Sequence, residues 1–363
     1  EKYDIILEWA HRALNDTEAT VKLFEKQIDD FKKLSPTKKD LLNYIFSFTK
    51  DDSFEIYKNL VWLGKNKLYE EDFTKIILEI VWEYKKPEKL PNPEIKDIDI
   101  SNIFKNLWNS EYRENQLIMS NKVFDTLEND KKIVIEAPTW VWKTFAYCIP
   151  AIINSLKTNT QVVISTNTKA LQDQIFYKDL NFLKENLWYN FTYTKLKWKV
   201  NYLSIHRYIR FVCNLFEASP GEISFASKIL LWLHKTDFWE LDDINLYWIE
   251  YQYLKEVHSD NFIVLNDENP AKKYEFLFKA RTIATTSDIV IINHTLLLKD
   301  SSAWIPLFWK IKKLIIDESH NLEDAVTESL KETTCFEDLK QALEKLGKNS
   351  SNLNYKLENF ENV

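Results

Sequence analysis

The sequence predicts an α/β fold: a parallel sheet flanked by helices, with a helical insertion inside it and a helical linker before it. Three observations predict this. Four short apolar runs rich in β-branched residues, KKIVIEA (131–137), QVVIST (161–166), DIVIIN (288–293) and KLIIDE (313–318), read as strands buried on both faces, because their apolar character is continuous. Helical patterns follow the first two, TFAYCIPAIINSL and KALQDQIFYKDL, as crossovers between parallel strands require. The long stretch 195–280 is mostly helical and rich in aromatics, which marks an insertion.

In chain order, HRALNDTEATVKLFEKQI (11–28) spaces its apolar residues as a helix does. Short amphipathic patterns follow, DLLNYIFSF, SFEIYKNLVWL and EEDFTKIILEIVWEY, until the prolines of KKPEKLPNPEIKD interrupt the helical run. The chain thus divides into 1–33, a helical linker 34–110 and an α/β unit 111–363, with a second, polar helical departure after 325. No repeat of fixed period is present, and no low-complexity tract.

Composition narrows the class. The 363 residues are 45% hydrophobic and 28% charged, near the averages of globular domains, and no run of eighteen apolar residues suggests a membrane span. Three scattered cysteines, Cys148, Cys213 and Cys335, build no disulfide framework, and no targeting segment opens the chain, so the cytoplasm is the expected compartment. A net charge of -7 argues against a surface that is basic throughout, while leaving room for a local basic groove. Three glycines stand beside thirteen tryptophans. Glycine ordinarily makes up roughly 7% of residues, because turns, helix ends and phosphate loops need its freedom.

EAPTWVWKT (136–144) lies between a strand pattern and a helix pattern, the context of a phosphate-binding loop. There Pro138, Thr139, Trp140, Val141 and Trp142 would line the phosphates with backbone N–H groups, Lys143 would reach the β and γ phosphates, and the Thr144 hydroxyl would hold Mg²⁺. An indole at 140 or 142 would fill the phosphate site, where chemistry calls for glycine. The sequence therefore suggests that many of its tryptophans are glycines in the living protein, through a code that reads the UGA codon as Gly. DESH (317–320) follows a second strand pattern and puts two acids at a strand end, where ligands of α/β sheets collect; an exposed acidic loop capping a helix is the plainer alternative.

With glycines at 140 and 142 the loop resembles that of superfamily 2 helicases, and DESH resembles their DEAH-type motif, which implies Asp317 as a Mg²⁺ ligand and Glu318 as the residue that polarises the attacking water. YRENQ (112–116) is similar to the adenine-side motif, implying base recognition by Gln116 with Arg113 beside it. STNTKALQDQI (165–175) resembles the motif that touches the DNA backbone, implying Thr166, Thr168 and Gln174 as contacts. KLKWKVNYL (195–203) resembles a KGRxNYLC stretch, which adds Lys197, Lys199, Asn201 and Tyr202, and INHTLLL (292–298) resembles an NHxLLL strand exit. Trp198, Trp108 and Trp9 fall at glycine positions of these patterns. Six motifs in order are identified with the DinG branch of the XPD-like helicases, which implies a RecA-like P-loop motor lobe, ATP and Mg²⁺ as cofactors, and single-stranded or forked DNA as partner. No oligomeric state follows.

AHRALNDTEAT (10–20) resembles the last motif of DEDDh exonucleases, implying His11 as general base and Asp16 as metal ligand; a helix start capped by Asn15 or Asp16 is the alternative. The resemblance implies that 1–33 ends an exonuclease domain, that an arch-like insertion starts after 325, and that further exonuclease acids and a second motor lobe lie outside the chain. An iron–sulfur cluster is not expected, because Ser204 replaces the first cysteine of the family pattern and about four are needed. Tyr202, Tyr208, Phe211, Phe216, Tyr251 and Tyr253 suit either base stacking or a helical core, and Lys195, Lys197, Lys199, Arg207 and Arg210 suit a strand path or a solvated face. The expected function is ATP-dependent DNA unwinding or translocation, in repair or replication. The alternatives are an ATP-gated 3′–5′ exonuclease without unwinding, and a catalytically dead nucleic-acid binder if Trp140 and Trp142 are real.

Overall fold

The structure, a computed structural model, describes residues 13–55, 58–59, 68–82, 99–108, 114–138, 143–233, 236, 239–259, 273–301 and 311–330. Four strands form one parallel sheet: β1 (Val162–Thr166), β2 (Tyr193–Lys195), β3 (Ile289–Asn293) and β4 (Lys313–Ile316), in the order β2-β3-β1-β4. Val163 of β1 is in register with Val290 of β3 on one side and Leu314 of β4 on the other. Every strand pair is parallel, so all carboxyl ends gather at one edge.

Before the sheet come α1 (Ala13–Lys32), α2 (Pro36–Phe46), α3 (Glu70–Trp82), α4 (Ile100–Trp108) and α5 (Glu114–Glu128). The crossover helix α6 (Lys143–Thr158) leads into β1. The next crossover runs through α7 (Lys169–Gln174), a π-helical turn (Ile175–Leu180) and α8 (Asn181–Asn186) into β2. The insertion carries α9 (Ile205–Cys213), α10 (Pro220–Trp232) and α11 (Phe276–Thr286); α12 (His294–Ser301) leaves β3, and α13 (Leu322–Leu330) follows β4.

Strand alternation separates two cores. Val162, Ile164, Ile289 and Ile291 pack with α4, α5 and α6, whereas Val163, Val290 and Ile292 pack with Leu277 and Ala284 of α11 and Leu296 of α12. Both faces are covered, which is why β1 is apolar at consecutive positions. A third core joins Leu41 and Ile45 of α2 and Phe73 and Ile77 of α3 to Tyr208, Phe225 and Ile229 of the insertion. Two helices of the expected linker, α2 and α3, thus pack against the insertion, while α4 packs against the sheet.

One predicted strand is not formed. Residues 131–138 carry no strand, and Val134 is 93% exposed. The segment pairs with none of the described strands, although β4 ends the sheet with an open edge. Lys131 instead turns back onto α5, its N–H donating to Thr126 O at 2.9 Å and its ammonium meeting Asp125 at 3.1 Å. Among the described residues no helix is long and apolar enough to cross a membrane.

Candidate active site at the carboxyl edge of the sheet

Asp317 and Glu318 follow β4 directly, and the Asp317 N–H donates to the Ser165 carbonyl of β1 at 2.8 Å, which fixes the turn to the neighbouring strand. Glu318 sits in the left-handed region (φ 54°, ψ 44°), an uncommon and strained conformation for a side-chain-bearing residue. Lys143 begins α6, and its ammonium lies 3.7 Å from Glu318 Oε1. Tyr147, one turn further along α6, donates its hydroxyl to Asp317 Oδ2 at 3.0 Å. Burial pushes the Asp317 carboxyl above its ordinary range; the Tyr147 bond and Lys143 oppose this, and Glu318 adds to it. Burial likewise raises Tyr147, whose hydroxyl also meets the Thr144 side chain.

His294 opens α12 from the end of β3 and is fully buried, its Nδ1 2.7 Å from Ser165 Oγ. Burial lowers its pKa, against the opposing influence of the Glu318 and Asp317 backbone and the Asp317 charge. Three strand ends therefore converge on one acidic turn beside a lysine. Such a set suits Mg²⁺ shared with phosphate oxygens, because that cation takes one or two protein ligands and keeps the remainder for substrate and water. Thr144 and Asp317 would hold it, and bound there it would neutralise phosphate charge.

Other expected site residues lie at different depths. Pro138 is exposed, Gln116 is 2% exposed on α5, and Arg113, Thr139, Trp140, Val141, Trp142 and His11 lie outside the described residues. Asp16 lies on α1, where only the backbone is described. Thr168 caps α7 by accepting the Leu171 N–H, and both Thr168 and Gln174 are exposed, while Thr166 is buried with no hydrogen-bond partner for Oγ1 among the described residues. Asn201 and Tyr202 are buried, and Tyr202 accepts the Lys197 N–H at 2.9 Å.

The expectation of a strand path or solvated face does not describe Lys195 and Lys197. Both ammonium groups are buried among acids: Lys195 lies 2.6 Å from Asp173 and 2.9 Å from Glu240, and Lys197 lies 2.6 Å from Glu240. Burial alone would lower both lysines, but Glu240 and Asp173 outweigh it and hold them above their usual range. Lys169 extends the cluster to Asp242 at 2.9 Å, so three lysines face three acids. Of the aromatics, Tyr208 is fully buried while Phe216 and Tyr251 are 84% and 56% exposed. Ser204 caps α9 and donates to Glu275 at 3.0 Å, and Cys148 is core.

Sequence reasoning missed Tyr147 and assigned no role to His294, Ser165 or Gln172, although these three lie inside the INHTLLL and STNTKALQDQI motifs. The signal for Tyr147 was its place four residues after Lys143, on the same helix face. Gln172 donates to the Leu196 and Ile291 carbonyls at 2.9 and 2.8 Å, closing the sheet edge, a role no spacing reveals.

No family model matches the chain. It is similar to proteins named 3'-5' exonuclease DinG: 28% identical over 355 residues in Staphylococcus haemolyticus, 28% over 358 in Staphylococcus epidermidis and 27% over 367 in Staphylococcus aureus USA300. Each match covers 97% of this chain and 38% of the relative. The chain therefore spans about two fifths of the length of the curated relatives it matches.

Proposed function

We propose that this chain is the nucleotide-hydrolysing lobe of a DinG-type DNA enzyme, RecA-like in fold, in which ATP turnover at the carboxyl edge of the sheet drives movement along single-stranded or forked DNA. The observation that supports it best is Lys143 facing Glu318 across 3.7 Å, with Asp317 held beside them by Tyr147. In this reading Lys143 binds the β and γ phosphates, Thr144 and Asp317 hold Mg²⁺, and Glu318 orients the attacking water. Gln116 and Arg113 serve the adenine side, and Thr168, Gln174 and Lys199 offer contacts to DNA.

The reading requires glycine at 140 and 142, and the described tryptophans support recoding. Trp239 has φ 57°, a conformation that favours glycine and strains a bulky aromatic. Trp188, just beyond the C-cap of α8, is 87% exposed, and Trp248 is 85% exposed. Trp82, Trp108 and Trp232 each end a helix, near the position where glycine is enriched. Trp232, although buried, leaves its indole N–H without a partner among the described residues.

Peptide mass spectrometry of the natural protein tests this: glycine is expected at 140, 142 and 239, and intact tryptophan at 140 and 142 defeats it. Binding of a fluorescent ATP analogue with Mg²⁺ to the glycine form, but not to the tryptophan form, tests the nucleotide site. A second reading, an ATP-gated 3′–5′ exonuclease without unwinding, is favoured by the name the relatives carry, with His11 and Asp16 as remnants of its site. Strand degradation without separation of a forked duplex by the whole protein would select it.

A further inference from the structure

Tyr147 stands between the two side chains that the nucleotide reading gives to the cation. Its hydroxyl donates to Asp317 Oδ2 at 3.0 Å and also meets the Thr144 side chain, three residues earlier on α6. A phenol has one hydrogen and Asp317 takes it, so the Thr144 hydroxyl is the donor of the second bond. The hydrogens therefore run in one direction, from Thr144 through Tyr147 to Asp317, and leave the lone pairs of Thr144 Oγ1 for a cation. The Glu318 N–H lies against the same carboxylate, but a carboxylate has about four lone-pair sites, so room remains on Oδ1. Glu318 itself is engaged by Lys143 at 3.7 Å, and among the described residues no group of three or more His, Cys, Asp or Glu side chains could hold a metal. With so few protein ligands, the way Asp317 presents its oxygens decides which cation fits. Tyr147 is 2% exposed between the fully buried Ala146 and Cys148, so a hydroxyl parted from Asp317 finds little water in exchange.

We propose that Tyr147 is a positioning residue that holds Asp317 as a one-oxygen ligand and thereby makes the site select Mg²⁺ over Ca²⁺. The inference rests on the nucleotide reading above. Mg²⁺ demands a compact octahedron and keeps most of its places for water and phosphate, whereas Ca²⁺ accepts more ligands and takes carboxylates by one oxygen or by both. To offer both oxygens, Asp317 must turn Oδ2 away from Tyr147 and leave a buried hydroxyl hydrogen unpaired. That penalty falls on the two-oxygen grip and spares the one-oxygen grip. Tyr147→Phe keeps the ring and removes the hydrogen, so the penalty disappears with it.

The test uses the whole natural protein with Tyr147→Phe and Tyr208→Phe variants, a fluorescent ATP analogue, and titrations of Mg²⁺ and of Ca²⁺. The Tyr208 hydroxyl donates to Ala226 O at 2.9 Å in the core of the insertion, so Tyr208→Phe also loses a buried bond but touches neither Thr144 nor Asp317. In the unaltered protein, half-saturation of analogue binding is expected to need more Ca²⁺ than Mg²⁺. The ratio of the two concentrations should fall by about tenfold in Tyr147→Phe and stay within about twofold in Tyr208→Phe. An unchanged ratio in Tyr147→Phe overturns the proposal, as does an equal fall in Tyr208→Phe, which would trace the effect to lost stability. Unfolding midpoints with either cation alone give a second readout: Mg²⁺ is expected to raise the midpoint of the unaltered protein more than Ca²⁺ does, and Tyr147→Phe to abolish the difference. Equal responses of the unaltered protein to the two cations, or a response to neither, overturn the proposal. Absence of analogue binding by the unaltered protein would instead count against the nucleotide reading, leaving the midpoints to decide the role of Tyr147.

Discussion

The Tyr147 hydroxyl donates to the Asp317 carboxylate across 3.0 Å, joining residues 170 positions apart and tying the second turn of α6 to the end of β4. The bond compensates a carboxylate that burial would otherwise drive toward its neutral form. Tyr147→Phe removes the donor and keeps the ring, so it is expected to destabilise the metal-free protein by about 1–3 kcal/mol. Mg²⁺ should restore part of the loss by supplying the missing compensation. Urea unfolding with and without Mg²⁺ measures both; an unchanged midpoint contradicts the role.

Glu318 offers a cleaner separation of binding from chemistry. Glu318→Gln preserves shape and the link to Lys143 but removes the charge that orients water. On the proposed reading, nucleotide affinity is retained while turnover falls by about 100-fold or more. Parallel losses of affinity and turnover would point to a structural role instead.

Lys197 and Lys199 are two positions apart and should behave oppositely. Lys197→Ala leaves Glu240 buried beside a single lysine, and breaking a buried pair costs about 3–5 kcal/mol. Lys199→Ala is expected to leave stability unchanged and to reduce the salt-dependence slope of DNA binding by about 1. Chemical denaturation and salt titration of a labelled oligonucleotide separate the two.

Lys279 sets a pH window. It is 4% exposed on α11, and burial lowers its pKa from 10.5 to about 8, with Glu275 opposing. Between those values the unfolded chain holds a proton that the folded protein has released, so stability rises with pH across the window and is flat below it. Lys279→Met should remove that rise, which unfolding midpoints of the two proteins across pH 8 to 10.5 would show.

Trp239 reports on recoding without sequencing. Its ring stacks on Phe276 at 4.9 Å while its backbone has φ 57°. If the natural residue is glycine, Trp239→Gly relieves left-handed strain of about 1–2 kcal/mol and leaves stability equal or higher. A loss of about 3 kcal/mol or more would assign the position to tryptophan.

The sequence by itself determined that the chain alternates buried strands with crossover helices, because continuous β-branched runs are a local signature of strands covered on both faces. It also singled out Lys143, Thr144, Asp317 and Glu318, since a phosphate-loop pattern and an acidic turn are written in adjacent residues. Tertiary structure alone decided three other matters. KKIVIEA has the propensity of a strand but acquires no partner, and pairing is a property of neighbours. Lys195 and Lys197 look like a basic surface in sequence, yet Asp173 and Glu240, distant along the chain, enclose them. The alignment of His294, Ser165 and Tyr147 on the acidic turn joins four separate elements, and its information lies in distances between them, which no local spacing encodes.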